Sequence, residues 1–534
     1  GVVGTPQQRA AMPLILDDDD RLYLHRLFDF EQRLARRLVR AAATAPAPLD
    51  ARAQALLTQL FAANAERLGG AADWQQLATA LALRQRLTII SGGPGTGKTT
   101  AVVNLLACLL AQDPDCRIAL AAPTGKAAAR MTAALRQRAS HLPAALRDRL
   151  PAESFTLHRL LGVTPRGFVH HAGKRLPIDT LVVDEASMLD LALATRLLEA
   201  VPDSARIVLL GDKDQLAAVE SGAVFAELGA DPSLSAACRA DLAAACQLAP
   251  QAVDAGAAGD GAAPSALQDS VVWLRQNFRF AADSGVGRLA TAINQGRSAA
   301  ALATLADSTA LHWLDDSSAQ PGAASAQAMA AGFAPYFDAL RATPHDAAAV
   351  GAVFDRFRVL CALREGPRGV LAINQRLAEL ARSQLAPGSD PRSPWFAGRP
   401  VMVLRNDPVL GLFNGDIGIT LADAGGELQV HFPAAGAWRA LPPARLPAHE
   451  TAFALTVHKS QGSEFDAVLV LLPAQPSRVV SRELLYTAVT RARERLWLCA
   501  GAEVLGAAIA APTRRHSGLL ARLREAAADN PPPP

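Results

Sequence analysis

The chain of 534 residues has six cysteines, Cys108, Cys116, Cys238, Cys246, Cys361 and Cys499, and no two of them stand in a C-x-x-C pair. Such scatter argues against a cysteine-built zinc site or iron–sulfur cluster. It reads as reduced core thiols of a cytoplasmic protein. No uninterrupted apolar run is long enough to span a bilayer and no secretory signal opens the sequence, so no membrane role is expected. Neither sign of charge dominates: 53 Lys and Arg against 50 Asp and Glu leave a formal net charge of +3. A nucleic-acid binder with that balance has to gather its positive charge on one face. An initiating Met is also missing. The sequence opens at Gly1 in what reads as the middle of a domain, and a truncated N-terminal domain is expected.

What is present is ordinary globular material, with 50% hydrophobic and 19% charged residues. The length predicts two to four domains. Residues 12–30 read as two strands around an acidic turn, with Asp17 to Asp20 as a solvated tip, because consecutive carboxylates on a turn point in different directions. Residues 31–68 read as helices. After them, short apolar runs alternate with helical patterns: "LTII" (87–90), "IALAA" (118–122), "TLVV" (180–183), "IVLL" (207–210), "VLCAL" (359–363) and "AVLVLL" (467–472). That alternation predicts an α/β fold with parallel sheets covered on both faces. Residues 251–266 and the "PPPP" tail have little to bury and read as mobile. From about 399 to 450 short strands with Gly, Pro and Asn turns suggest a small all-β insertion.

Three strand ends carry the chemistry. "GGPGTGKT" (92–99) follows a strand and opens a helical run, which is the setting a phosphate-binding loop requires. Its glycines let backbone N–H groups close around phosphate oxygens at the positive end of a helix. Lys98 would reach the β and γ phosphates of ATP and the Thr99 hydroxyl would ligate Mg²⁺. In "LVVDEASM" (181–188), Asp184 is placed to hold Mg²⁺ through water and Glu185 to orient and deprotonate the attacking water. In "LLGDKDQL" (209–216), Gln215 is a candidate γ-phosphate sensor, with Asp212 and Asp214 open to a plain capped turn. These residues define a nucleotide hydrolase. The loop alone does not say what the energy drives, since kinases, GTPases and motors share it. In and just before "YTAVTRARERLWL" (486–498), Leu484, Leu485, Ala488, Val489 and Ala492 are expected to form a helical apolar stripe, with Arg491 off it and not obliged to be buried. Arg493 and Arg495 read as solvated charges.

The ordered set "GGPGTGKT", "APTGKAAARM", "SFTLHRLLG", "VVDEASM", "GDKDQL", "FRF", "TVHKSQGSEFD" and "VTRAR" resembles the superfamily 1 DNA helicases, and more narrowly the RecD family, alpha subunits of the RecBCD exonuclease V. "LCALREGPRGV", "RNDPVLGLFNGDIGI" and "DSGVGRLATAIN" look like segments of the same family. The resemblance implies two RecA-like motor domains, about 69–270 and 271–534, after a partial partner-contact domain at 1–68. It implies a duplex-parting hairpin near 161–180, around Arg166 and Gly167, and an SH3-like insertion at about 399–450. Gln75 matches the glutamine that reads adenine. Gly92, Gly93, Pro94, Gly95, Thr96, Gly97, Lys98, Thr99 and Thr100 match the nucleotide loop, and Glu464 matches a residue at the ribose. Arg279 and Arg491 match the arginines that meet the γ-phosphate when the motor closes, which would couple hydrolysis to movement. The motif at Arg279 departs from the family in having Asn-Phe before the arginine, where Ser-Tyr is usual.

"TVHKSQGSEFD" (456–466) sits where such helicases connect the nucleotide cleft to single-stranded DNA, and Gly462 allows its tight turn. Thr456, His458, Lys459 and Ser460 are expected to meet DNA phosphates. Pro123, Thr124, Lys126, Arg130, Thr156 and His158 would do the same from the first domain. His158 is equally readable as a core histidine. The implied partners are single-stranded DNA, duplex DNA ends, and RecB-like and RecC-like subunits in a heterotrimer, with 5′-to-3′ movement. Three alternatives stay open: a subunit that only binds partners and DNA, an RNA helicase, and a nuclease. The last has no clustered carboxylate–Lys site of its own outside the ATP residues, which leaves degradation to a RecB-like partner.

Overall fold

The computed structural model describes residues 2–7, 12–69, 71–164, 167–217, 222–253, 265–278, 284–386, 390, 392–407, 409–434, 437–513 and 517–529. Arg166, Arg279 and most of the expected mobile stretch at 251–266 lie outside them. The chain divides into two compact units, Gly1–Phe278 with Arg515–Pro534, and Arg279–Arg514.

The first unit is built on a six-stranded sheet in which every pairing is parallel. Its spatial order is Val271–Trp273, Leu87–Ser91, Arg206–Gly211, Thr180–Val183, Ile118–Ala122, Phe155–Thr156. Successive side chains leave a strand on opposite faces, and here both faces are apolar. Leu87, Ile89, Leu181, Val183, Ile207 and Leu209 enter one core, and Ile90, Val182, Val208 and Leu210 enter the other. Each strand therefore reads as a continuous apolar run, as a sheet covered on both sides requires. Helices Trp74–Arg84 and Lys98–Gln112 cover one face; His25–Ala42, Leu191–Ala200 and Leu519–Ala528 cover the other. The edge strand Val271–Trp273 pairs with Leu87–Ser91, so the boundary expected at 271 falls inside the first sheet. The strand is too short to carry a pattern of its own.

The hairpin of Leu14–Leu16 and Leu22–Leu24 is antiparallel, but its acidic turn is not wholly solvated. Asp18, Asp19 and Asp20 are exposed, whereas Asp17 is buried and accepts from Tyr23 Oη at 3.1 Å and Arg522 at 3.2 Å. Arg522 belongs to the C-terminal helix. A neighbouring pair of acids belongs to the same junction. Ser517 Oγ lies 3.1 Å from Glu31 Oε1 and 3.0 Å from Glu227 Oε2. One hydroxyl proton satisfies one of these contacts, so the other needs a proton on a carboxyl. Burial raises both acids, Glu227 to about 7.

The second unit has a five-stranded parallel sheet in the order Leu311–Leu314, Ala492–Cys499, Phe465–Leu471, Phe357–Cys361, Ala454–Thr456. Between its strands the chain makes an antiparallel sheet of Ala437–Leu441, Leu428–Ala434, Ile417–Ala422, Pro400–Val403 and His449–Thr451. This module has its own small core of Val401, Val403, Leu410, Leu412, Val430, Phe432 and Leu441. The helical stripe expected through Ala492 ends earlier. The helix is Arg482–Val489 and Ala492 begins a strand, because "RLWLC" pairs with Phe465–Leu471 and alternates around a buried sheet.

All six cysteines are free, five of them buried. Burial pushes Cys108, Cys238 and Cys246 up to about 12, which leaves them inert. Among the described residues no helix is long and apolar enough to cross a membrane.

Candidate active site and nucleic-acid surface

The loop at 92–99 leaves the fully buried strand Leu87–Ser91 and enters helix Lys98–Gln112. Gly95 and Gly97 hold φ of 83° and 79°, a region that side chains resist. Gly97 has a second constraint. A Cβ there would meet the Gln75 side-chain amide, which donates to Thr96 O at 2.9 Å. Gln75, expected at the adenine, is thus buried against the loop itself. The loop is tied further by Thr96 Oγ1 to Gly93 O at 2.8 Å, Gly92 N to Gly211 O at 3.0 Å and Phe278 N to Gly95 O at 2.8 Å. Lys98 Nζ rests on the carbonyls of Gly92 and, at 3.3 Å, Gly93.

Strands Thr180–Val183 and Arg206–Gly211 end beside this loop, since Leu210 and Gly211 pair with Ile90 and Ser91. Asp184 is raised to about 6 by desolvation and by Glu185, against the pull of Lys98 and Arg130. Glu185 takes a left-handed φ of 53°, and its N–H donates to Asp184 Oδ1 at 2.8 Å. That conformation is uncommon for a residue with a side chain. Asp212 is buried and raised by desolvation, again opposed by Lys98, and accepts from Gln215 Nε2 at 3.0 Å. Gln215 Oε1 and Ser187 Oγ are buried without hydrogen-bond partners. Lys98, Asp184, Glu185, Asp212 and Gln215 therefore belong to one site, in which desolvation raises Asp184 and Asp212.

Sequence reasoning missed three neighbours. Asn277 Nδ2 donates to Pro94 O at 2.9 Å, Arg138 donates to the Thr100 hydroxyl, and the Arg275 guanidinium lies 4.3 Å from the Trp74 ring centre, next to Gln75. Asn277 stands directly before "FRF", which was the one available signal.

The expected DNA contacts divide. Thr124 and Thr156 cap helices, accepting from Ala127 N and Arg159 N at 3.2 Å each. Lys126 and Arg130 lie on the first turns of helix Gly125–Arg138, and Arg130 acts on Asp184. Pro123 is half-buried just before that helix. His158 is exposed, 6.2 Å from the Phe168 ring, so it is no core histidine. Phe168 belongs to a two-stranded hairpin, Val163–Thr164 with Gly167–Phe168. In the second unit Lys459 is exposed and donates to Asn414 Oδ1 at 2.8 Å, while Thr456 Oγ1 accepts from Lys459 N at 3.2 Å. His458 is half-buried in the same turn. Ser460 is a correction: it is fully buried and its hydroxyl donates to Val457 O at 2.7 Å, which closes the turn from inside. Arg491 is a second correction. It is 2% exposed, with Nε on Thr487 O at 3.1 Å and Nη1 on Ser463 O at 3.0 Å. Carbonyls left over at the end of helix Arg482–Val489 draw it inward. Glu464 pairs with exposed Arg493 at 3.5 Å.

An AAA domain model matches residues 75–221, and a UvrD-like helicase C-terminal domain model matches 451–499. The RecBCD enzyme subunit RecD of Mycobacterium tuberculosis is 41% identical over 466 residues, covering 85% of this chain and 73% of the relative. The chain belongs to the RecD family. A second RecD, from Haemophilus influenzae, is 35% identical, covering 84% of this chain and 72% of its own. An ATP-dependent RecD2 DNA helicase of Deinococcus radiodurans is 29% identical, covering 95% and 59%. The two parallel-sheet units are the two RecA-like domains of a helicase motor.

Proposed function

We propose that this chain is an ATP-driven translocase on single-stranded DNA and a 5′-to-3′ DNA helicase. It would serve as the motor subunit of a RecBCD-type enzyme acting on duplex ends, with RecB-like and RecC-like partners. The observation that carries the reading is the convergence of Lys98, Asp184, Glu185, Asp212 and Gln215 at the ends of neighbouring strands, with Asp184 raised to about 6. Acids raised by desolvation beside a lysine and a glycine-rich loop fit a site built to take up a cation and a polyphosphate.

In this reading the backbone N–H groups of 93–100 bind the phosphates, and Lys98 leaves its carbonyls for the β and γ oxygens. Glu185, fixed by its own backbone strain, accepts a proton from the attacking water. Gln215, held by Asp212 through one amide hydrogen, offers the second hydrogen of Nε2 to the terminal phosphate. Arg491 and Arg279 stabilise charge there. The donor set of Thr99 and Asp184 suits Mg²⁺, a hard cation that takes oxygen ligands and keeps several waters. When bound, Mg²⁺ supplies charge neutralisation on the β and γ oxygens. Gln75 positions the loop through Thr96 O, and Glu464 contacts the ribose. Thr124, Lys126, Thr156 and His158 from one unit, with Thr456, His458 and Lys459 from the other, contact phosphates. Binding is then sequence-tolerant and salt-sensitive. The hairpin at 163–168 parts the duplex.

Unwinding of a duplex with a single-stranded 5′ tail, compared with a 3′ tail, tests the reading. Strand separation that requires the 5′ tail and is lost in Lys98→Gln supports it. Equal activity on RNA, or none on DNA with folded protein and partners, contradicts it.

A further inference from the structure

The β module carries a feature that the helicase motifs do not account for. Along 409–413 exposure alternates. Leu410 and Leu412 enter the module's core, while Val409, Gly411 and Phe413 face outward, Val409 at 92% and Phe413 at 37% exposure. Of the described Phe, Tyr and Trp side chains only Phe278 and Phe413 are exposed, and the Arg67 guanidinium sits 4.7 Å from the ring centre of Phe278.

The loop that presents Phe413 is held from within. Asp407 and Leu412 exchange backbone bonds at 2.7 and 3.0 Å. Asp407 Oδ1 accepts from Leu410 N at 2.9 Å, Asp416 Oδ2 from Phe413 N at 2.7 Å, and Asn406 Oδ1 from Asn414 N at 2.8 Å. Gly411 and Gly415 supply the left-handed turns. Both loop carboxylates are thereby engaged on backbone amides of the loop. The ring is presented with little freedom left to lose on binding. The next residue, Asn414, accepts from Lys459 Nζ at 2.8 Å. The loop and the His458–Ser460 turn are therefore contiguous. Arg364, which acts on Lys459, has its charge answered by Glu450 at 3.0 Å.

We propose that the loop 409–415 is a contact for single-stranded DNA, in which Phe413 stacks on one base while Lys459 and Asn414 meet the adjoining phosphate. The proposal rests on the reading of the 456–462 turn as a DNA contact. An aromatic face beside a lysine and a side-chain amide is the combination that holds a strand without reading its sequence, because every base has a π-face.

The test uses the full chain and fluorescence anisotropy with an oligothymidylate of about 15 nucleotides, across a salt series. Phe413→Ala is expected to raise Kd roughly 5- to 150-fold, the range set by base–aromatic stacking. The slope of log K against log salt should stay unchanged, because stacking displaces no counterions. Phe413→Trp should restore binding to within about threefold, since it returns the stacking surface. Phe413→Leu keeps apolar bulk without the aromatic face, so a folding defect in Phe413→Ala does not blunt the test. Lys459→Ala should weaken binding and reduce the slope by about 0.7. If Lys459→Ala weakens binding while Phe413→Leu and Phe413→Ala match wild type, the stacking proposal is overturned and the turn reading stands. If none of them weakens binding, the turn reading fails with it.

Discussion

At the ends of Thr180–Val183 and Arg206–Gly211 the first unit gathers Asp184, Glu185 and Asp212 near one lysine. The second unit instead buries Arg358 and Arg368 and meets them with backbone carbonyls. Arg358 is fully buried between Phe354 and Phe465, with bonds to Ala452 O at 3.2 Å and Phe354 O at 3.3 Å. Arg368 binds Leu472 O at 2.7 Å, Ser318 O at 3.0 Å and Cys499 O at 3.2 Å, and pairs with Asp316 at 3.2 Å. Desolvation works against Asp316, yet bonds from Ser325 and Gly322 and the charge of Arg368 hold it near 2. Asp184 and Asp212 of the first unit go the other way, upward, because desolvation outweighs the pull of Lys98. Burial alone does not mark function. Beside the raised acids Gln215 Oε1 and Ser187 Oγ are left without hydrogen-bond partners, whereas the arginines are buried with most of their donors met. A site that must exchange partners during turnover is left incomplete, and a framework is completed.

This contrast is open to attack by substitution. The largest effect is expected at Glu185→Gln, which keeps shape and removes the base. DNA-stimulated kcat for ATP hydrolysis should fall about 10²- to 10⁴-fold with nucleotide affinity little changed. Steady-state kinetics with a nucleotide-binding titration checks it. Next is Arg358→Ala, expected to cost the second unit about 3–5 kcal/mol in denaturant melts, because ring contacts and carbonyl bonds are lost together. The first unit should still bind ATP. A loss of ATP binding without loss of stability would reverse the assignment of framework and site.

The third effect concerns the Glu31–Ser517–Glu227 junction. Glu227 is raised by burial from 4.5 to about 7. A raised folded-state value means its contribution is full below about pH 4.5 and lost as pH climbs through 7. Glu227→Gln, which mimics the protonated acid, should therefore exceed wild type by up to about 3 kcal/mol at pH 8. The gap should close below pH 4.5. Chemical melts of both proteins across that range decide it. The smallest effect is expected at Arg493, an exposed partner of Glu464 and Asp466 at 3.5 Å each. Arg493→Ala should change stability by less than about 1 kcal/mol.

The active strand ends were legible because their chemistry is local. A phosphate loop needs strand, glycines, Lys-Thr and helix in immediate succession, and 87–112 provides all of them. The strands Ile118–Ala122 and Thr180–Val183 were readable as written because both faces are buried. What failed were judgements about which polar side chains turn inward. Asp17 looked like a solvated tip because its partner Arg522 stands 505 residues later. Arg491 looked exposed because it lies off the apolar stripe, and one of the two carbonyls that draw it in belongs to Ser463, 28 residues earlier. Ser460 looked like a phosphate ligand because "HKSQG" is polar throughout. A turn this tight needs one hydroxyl inside, and Ser460 supplies it.

The most direct test of the central claim is steady-state ATP hydrolysis by the purified chain with and without single-stranded DNA, run beside Lys98→Gln and Lys459→Ala. The account predicts strong stimulation by DNA, abolished in Lys98→Gln and shifted to higher DNA concentration in Lys459→Ala. Hydrolysis that ignores DNA in folded wild-type protein, or that survives Lys98→Gln, would contradict it.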